Sequence, residues 1–182
     1  DITTDILAYK DADGTPLVEK ILDTAGQKGT GKWTGINALD MGIPLTLITE
    51  SVFARCVSAL KEQRVSAAGL FPRSIAPVSG SREEWLESLR LSLLASKIIS
   101  YAQGFMLMRE ASNTFNWKLN YGKTALLWRE GCIIRSVFLG NIRDAFEANP
   151  DLAFLGADPY FQKILLNALP AWRKTVAKAI EI

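Results

Sequence analysis

Apolar residues recur at helical spacing along most of the chain, and no segment shows the sustained alternation typical of a β-strand. The clearest case runs from Trp85 to about Phe115, where apolar side chains cover more than one face. A helix with this pattern is buried on several sides. Ser81-Arg-Glu-Glu84 forms a capping box in front of it, which marks the helix start. The pattern predicts an all-α fold.

The same periodicity, with proline and glycine as boundaries, predicts the remaining helices. They are expected at about 1–10, 16–24, 33–39, 47–68, 121–128, 132–148, 159–169 and 170–182. Thr15 and Thr46 are the predicted caps of the second and fourth of these helices. A surface loop at about 70–80 would join two helical halves of one domain spanning residues 1–182. The first helix has no start signal and the last no stop signal, so we expect a chain truncated at both ends.

Composition narrows the class of protein. Hydrophobic residues make up 48% of the 182 residues and mean hydropathy is +0.10, which predicts apolar surface that a partner covers. The net charge of +2 comes from interspersed acidic and basic residues, so we expect no nucleic-acid partner. No secretory signal and no uninterrupted apolar run of membrane-spanning length is seen, which predicts a cytoplasmic protein without a membrane partner.

The chain contains no histidine, which removes the commonest general acid and base and the histidine-dependent nucleophile systems. Cys56 and Cys132 lack the C-x-x-C spacing of metal and redox sites, and both stand among apolar residues. We therefore expect them to be small buried hydrophobes in a reducing cytosol, and we expect no metal site.

The segment 25–34 is the one stretch whose residues indicate ligand chemistry. Gly26, Gly29 and Gly31 allow the backbone to approach a ligand closely, and Lys28 and Lys32 stand among them. A helix starting at about Trp33 would direct its first N–H groups, and the positive end of its dipole, over this loop. The segment therefore predicts an anion-binding site.

Two nucleotide-binding motifs nearly fit the same segment. Gly26 to Lys32 matches the first seven positions of a P-loop, but Trp33 stands where a serine or threonine would hold magnesium. A dinucleotide fingerprint over 29–34 lacks its third glycine, and the preceding segment has helical rather than strand spacing. A third interpretation also stays open, in which the glycines only end one helix and begin the next.

Two arginines stand in apolar surroundings. Arg55 lies within a largely apolar predicted helix, where a buried guanidinium requires an anionic partner. Glu50 or Glu62 would supply that partner structurally, and a ligand phosphate or carboxylate would supply it functionally. Arg135 repeats the pattern, with Glu130 or a group on a neighbouring helix as its expected structural partner.

Four stretches, at 25–34, 50–56, 95–105 and 128–136, together carry a resemblance to a known family. They span most of the chain and occur in the family order. On these residues the sequence resembles the C-terminal helical domain of the 6-phosphogluconate dehydrogenase family.

The resemblance implies an enzyme of the pentose phosphate pathway that oxidatively decarboxylates 6-phosphogluconate to ribulose 5-phosphate and reduces NADP. In the family an N-terminal Rossmann domain holds NADP, and a lysine base and a glutamate acid lie upstream of this segment, so no catalytic residue is expected in this chain. A C-terminal tail that reaches into the partner subunit's site is also outside it. The residues carried over are those that hold the substrate phosphate: Lys28, Thr30 and Arg55.

The resemblance further implies a homodimer, and it implies that these 182 residues are inactive alone. Two alternatives of other classes accompany it: a P-loop-like nucleotide-binding module, and a helical interaction domain with no small-molecule site. A strand before Gly26 would favour the first alternative.

Overall fold

The computed structural model describes residues 2–71, 77–132 and 134–182, and these residues form helices and no named strand. The α-helices of this part are α1 (Ile2–Ala8), α2 (Thr30–Asp40), α3 (Thr46–Ala59), α4 (Lys61–Leu70), α5 (Arg82–Thr114), α6 (Tyr121–Leu126), α7 (Leu139–Ala148) and α8 (Pro159–Glu181). Single 3₁₀ turns lie at Leu17–Lys20 and Leu155–Ala157. The all-α prediction is confirmed.

The long helix α5 is the centre of the fold, as its all-round apolar pattern predicts. The predicted capping box is present: Glu84 N donates to Ser81 Oγ at 3.2 Å, and Ser81 N donates to Glu84 Oε2 at 3.3 Å. The main core forms where α5 meets α7, α8 and the 3₁₀ turn before α8. Its fully buried side chains include Ile98, Leu139, Ile142, Leu155 and Phe161.

A second, smaller core attaches α2 and the start of α3 to α5. It is formed by Ala38 of α2, Leu45 before α3 and Leu107 of α5. Gln103 of α5 strengthens this attachment, because its Oε1 accepts a hydrogen bond from Leu47 N at 3.0 Å. Its Nε2 donates to Thr46 Oγ1 at 2.8 Å. The side chain of Gln103 thus satisfies one of the free N–H groups at the start of α3.

The expectation that Thr46 caps α3 is therefore wrong. Leu45 is the N-cap residue and makes no side-chain cap bond, while Thr46 is the first helical residue. The cap comes from Gln103, 56 residues away along the chain. Thr15 is not a cap either, because its hydroxyl bonds Asp13 at 2.6 Å and only one 3₁₀ turn follows it.

Several predicted helices need correction. The helix expected at 16–24 is a single 3₁₀ turn, Leu17–Lys20. The segment expected to be one helix at 47–68 is two helices, α3 and α4, because the chain leaves helical geometry at Leu60 (φ −87°, ψ 54°). The helix expected from 132 begins only at Leu139. The two helices expected after residue 159 are one helix, α8, which contains Pro170. The loop expected at 70–80 falls partly on residues 72–76, which lie outside the described residues.

By length and composition, one helix in the described ranges is able to cross a membrane: Arg82–Thr114, of mean hydropathy 1.3 in its most apolar window. A core helix of a soluble protein meets the same criterion, and α5 supplies Ile98, Ala102 and Phe105 to the main core. The criterion is therefore weak support for a membrane span, and the absence of a membrane partner stays a prediction.

Two glycines of α2 allow it to lie close against α3. A Cβ atom at Gly31 would lie 2.7 Å from Val52 Cγ2, and one at Gly35 would lie 3.4 Å from Thr49 Oγ1. The first distance is shorter than any normal carbon–carbon contact, and a helical valine has essentially one χ1 rotamer available to it. A side chain at Gly31 therefore requires α2 and α3 to separate.

We predict that Gly31→Ala destabilises the protein by about 1–3 kcal/mol through this overpacking. Gly140→Ala is the matched control, because Gly140 lies in α7 and a Cβ atom added to it would have no other atom within 4 Å. The control should be unchanged or up to about 1 kcal/mol more stable, since alanine favours helix. Urea unfolding of both variants gives the comparison, and equal stability of the two would contradict the close packing.

Candidate functional site

Residues 22–29, which we call the glycine loop, lead directly into α2. This helix begins at Thr30, three residues earlier than predicted. Gly29 is the N-cap residue with φ +102°, a conformation that residues with a side chain rarely adopt. Its N–H is held by Gln27 Oε1 at 2.8 Å. Lys28 and Thr30 therefore flank the N-terminus of a helix of 11 residues, and both are exposed. The first N–H groups of such a helix have no acceptor within the helix.

The loop lies along α3 and is bonded to it by side chains. Arg55 Nε donates to the carbonyl oxygen of Gly26 at 2.9 Å. Ala25 N donates to Ser58 Oγ at 3.1 Å. These contacts place the guanidinium of Arg55 beside the loop that carries Lys28. The structure therefore brings α3, which carries Arg55, next to the segment that carries Lys28 and Thr30.

The expectation that Arg55 is buried and paired with Glu50 or Glu62 is wrong. Arg55 is exposed, and within the described ranges no carboxylate lies within ion-pair distance of it or of Lys28. The hydrogen bond to the carbonyl oxygen of Gly26 uses only the Nε atom of Arg55. The pairing of Arg135 with Glu130 is likewise not found among the residues that the structure describes, and Arg135 is exposed.

Asp23, at the start of the loop, pairs with two cations of α4. Lys61 Nζ donates to Asp23 Oδ1, and Arg64 Nη1 donates to Asp23 Oδ2 at 3.0 Å. The hydrogen bond from Lys61, followed by that from Arg64, lowers the pKa of this carboxyl from 3.8 to about 2. The positive charges of Lys61 and Arg64 are thus paired within the protein, whereas those of Lys28 and Arg55 have no carboxylate partner in the described residues.

An apolar cavity of about 480 Å³ lies elsewhere, between α3, α5 and the chain around residue 130. Its polar lining groups come from Lys97, Ser100 and Tyr101. The Tyr101 hydroxyl donates a hydrogen bond to the carbonyl oxygen of Ile134. Volume alone would favour this cavity as a ligand site. The glycine loop is the better anion site, because it combines cations without carboxylate partners and free helix N–H groups.

Both cysteine expectations need correction in this chain. Cys56 is exposed and Cys132 is half-buried, so neither is the buried hydrophobe that its apolar neighbours suggested. No group of three or more acidic or cysteine side chains suited to a metal ion occurs in the part of the chain that the structure describes.

Comparison with known proteins gives the family. The family model of the 6-phosphogluconate dehydrogenase C-terminal domain matches residues 1–182. The chain belongs to this family. It is 76% identical over its full length to the decarboxylating 6-phosphogluconate dehydrogenase of Haemophilus ducreyi, and 54% identical to that of Mus musculus. It spans 38% of the length of each of these curated relatives.

A solved structure of a family member has the same fold. The 6-phosphogluconate dehydrogenase of Plasmodium falciparum superposes with a TM-score of 0.93 at 41% identity, covering 99% of this chain and 39% of that one. That protein is described in its apo form and in complexes with NADP+ and with 6-phosphogluconate. The resemblance on which Lys28, Thr30 and Arg55 were selected is therefore confirmed at the level of the family and the fold.

The family's helical fold does not favour the P-loop alternative. A P-loop follows a buried strand, whereas residues 22–28 have no regular secondary structure and are mostly exposed. The dinucleotide fingerprint fails for the same reason, so the described residues offer no nucleotide fold around Gly26 to Lys32.

Sequence reasoning missed Asp23, Ser58 and Arg64, which hold the loop in place. The bonds that these residues make across the loop join positions 33 to 41 residues apart in the sequence, beyond the reach of any local pattern. The only available signal was Lys61-x-x-Arg64, two cations on neighbouring turns of one helix with no obvious local acidic partner for both.

We predict that the Asp23 ion pairs stabilise the fold in a pH-dependent way. Because the pKa of folded Asp23 is about 2, below its ordinary value of 3.8, the ionised form favours folding. The stability advantage of wild type over Asp23→Asn should be fully present above about pH 4 and disappear as the pH falls through about 2. Urea unfolding between these pH values measures it.

Glu62→Gln is the control for this measurement, since Glu62 is an exposed carboxylate of the same helix α4 with no ion pair in the described ranges. Glu62→Gln should lower the free energy of unfolding less than Asp23→Asn does. A deficit of Asp23→Asn that stays constant down to pH 2 would show that the substitution acts through packing and not through charge.

Proposed function

We propose that this chain is the substrate-binding and dimerising part of a decarboxylating 6-phosphogluconate dehydrogenase. The complete enzyme would convert 6-phosphogluconate to ribulose 5-phosphate with reduction of NADP, in the cytoplasmic pentose phosphate pathway. The observation that carries the proposal is the pair of cations without carboxylate partners in the described residues, Lys28 and Arg55, at the glycine loop of a chain belonging to this family.

The phosphate of the substrate is the group that this loop suits. Arg55 retains its terminal guanidinium nitrogens for an anion, because its Nε is the atom bonded to Gly26 O. A guanidinium binds two phosphate oxygens at once, and Lys28 adds a second positive charge. Thr30 adds a hydroxyl and stands where the N-terminus of α2 favours negative charge.

Holding the phosphate would orient the sugar acid for reaction at its other end. The energy of a remote phosphate contact serves to position the reacting carbon, here the one bearing the C3 hydroxyl. NADP would accept the hydride in the complete enzyme, but the described residues lack the strand and third glycine of a dinucleotide site. We therefore place the cofactor outside these residues. The resemblance to the family places the lysine base and the glutamate acid outside them as well, and we propose that the chain alone is inactive.

We predict that Lys28→Met and Arg55→Lys raise KM for 6-phosphogluconate more than they lower kcat. The phosphate has similar charge in the substrate and the transition state, so its contacts contribute mostly uniform binding. Losing one charge-assisted contact should lower kcat/KM about ten- to a hundredfold. Arg55→Lys should be impaired although it keeps the charge, because an ammonium cannot replace the planar fork.

Steady-state kinetics of the complete enzyme with 6-phosphogluconate and with gluconate provide the measurement. Lys32→Met is the matched control, since Lys32 is a lysine of the same loop and helix start and is not a proposed phosphate ligand. A loss confined to the phosphorylated substrate and to the Lys28 and Arg55 variants supports the site. Equal losses against both substrates would make these residues structural and reject it.

We also propose that the protein is a homodimer. Large apolar side chains are exposed on several elements, including Leu39 at 78%, Val137 at 97% and Ile180 at 82%. Exposed apolar area on this scale is typical of surfaces that a partner covers. Sedimentation of the complete protein should show a dimer, and a folded monomer at high concentration would contradict the proposal.

A further inference from the structure

Four hydrogen bonds from the end of α3 and from α4 converge on Asp23, which is not itself a proposed substrate ligand. Lys61 and Arg64 Nη1 bind its carboxylate. Its carbonyl oxygen accepts from Arg64 Nη2 at 2.9 Å and from Ser58 Oγ at 3.2 Å. Asp23 lies five residues before Lys28. Among the exposed carboxylate residues of the described ranges, no other has both its carboxylate and its carbonyl oxygen bonded by side chains of a different helix.

These contacts matter because the backbone of the loop has no support of its own. Within the described residues, no backbone–backbone hydrogen bond involves positions 22–28. The segment is held instead by side chains: Ser58 binds Ala25 N, Arg55 binds Gly26 O, and the cluster around Asp23 holds its beginning. A backbone held only by side chains moves when one of them is removed.

The break between α3 and α4 makes this arrangement possible. In a continuous helix the carbonyl oxygen of Ser58 would accept from the N–H of residue 62. Because the helix is interrupted at Leu60, that oxygen accepts instead from Arg64 Nη2 at 3.0 Å. Arg64 thereby joins Ser58 to Asp23 with three hydrogen bonds, so the interruption and the loop position depend on the same side chain.

We propose that Asp23 is a positioning residue for phosphate binding: through Lys61 and Arg64 it fixes the loop against the α3–α4 corner and so sets Lys28 in place relative to Arg55. The inference rests on the proposed function and adds to it a group that does not touch the substrate. Because the Asp23 carboxylate is ionised at any pH above about 4, the anchor is permanent under assay conditions.

The test is a kinetic comparison in the complete enzyme, with Asp23→Asn as the variant and Asp13→Asn as its matched control. Asp13 is equally exposed, 56% against 55%, and pairs with Lys20. Its pKa is also lowered to about 2, by Lys20 and then Thr15. It makes no contact with the glycine loop in the described structure.

We expect Asp23→Asn to raise KM for 6-phosphogluconate by about tenfold, with a smaller change in kcat and little change against gluconate, because a displaced Lys28 weakens only the phosphate contact. Asp13→Asn should change neither constant. Equal kinetics of the two variants, or equal losses of Asp23→Asn against both substrates, would overturn the inference.

A double-mutant cycle with Lys28→Met separates positioning from general destabilisation. If Asp23 acts through Lys28, Asp23→Asn should have much less effect in the Lys28→Met background than in wild type. Fully additive losses would overturn the inference. If Lys28→Met shows no selectivity for the phosphorylated substrate, the proposed function fails; if it is selective and Asp23→Asn is not, the positioning role alone fails.

Ser58→Ala provides a second route should Asp23→Asn not fold. It removes the hydrogen bonds to Ala25 N and to the carbonyl of Asp23 while leaving both ion pairs in place. It should raise KM for 6-phosphogluconate in the same direction by a smaller factor. An unchanged KM in folded Ser58→Ala would contradict the proposal that side chains of this corner position the loop.

Discussion

The glycine loop depends on hydrogen bonds made to it by side chains of other elements. Its backbone makes no backbone–backbone hydrogen bond between 22 and 28 in the described structure, so it would otherwise be free to move. Arg55 and Ser58 of α3 and Arg64 of α4 supply the missing partners. These side-chain partners also determine where the loop lies relative to α3.

The position of the loop depends on the position of α3, and two further contacts hold α3 in place. Gly31 lets α2 approach α3 more closely than any larger residue allows. Gln103 of α5 binds the start of α3 through Leu47 N and Thr46 Oγ1. The long central helix is thus connected to the loop through α3, and the rigidity of the main core is transmitted to an exposed segment by a small number of specific contacts.

The features that sequence predicted well are those whose cause is local. The capping box at Ser81, the length of α5 and the glycine requirement at Gly29 each depend on residues within a few positions of one another. The interruption at Leu60 was not predictable, because it depends on Arg64 bonding Ser58 and a residue 41 positions earlier. Propensity alone favours a continuous helix there, and tertiary hydrogen bonds override it.

The position of the candidate site residues could be predicted to the same extent and for the same reason, while their role in binding stays a prediction. Lys28 and Thr30 stand in a glycine-rich segment that is visible in the sequence, and Arg55 is conspicuous among apolar neighbours. Its exposure and its bond to Gly26 were not visible, because they follow from how α3 packs against the loop. The resemblance to a family supplied the three residues together; the contacts that hold them required the structure.

The distribution of charge supports the proposal that the exposed loop binds an anion. Lys28, Arg55, Lys61 and Arg64 all stand near the loop, and an unpaired carboxylate among them would compete with a phosphate for these cations. Asp23 instead pairs with Lys61 and Arg64. Their hydrogen bonds to its carboxylate lower the pKa of Asp23. Lys28 and Arg55 are left without a carboxylate partner in the described residues, and because they are exposed, water solvates them at little cost. At the proposed site a phosphate would therefore have no internal ion pair to break, and the cations paired to Asp23 would already hold the loop in its binding geometry.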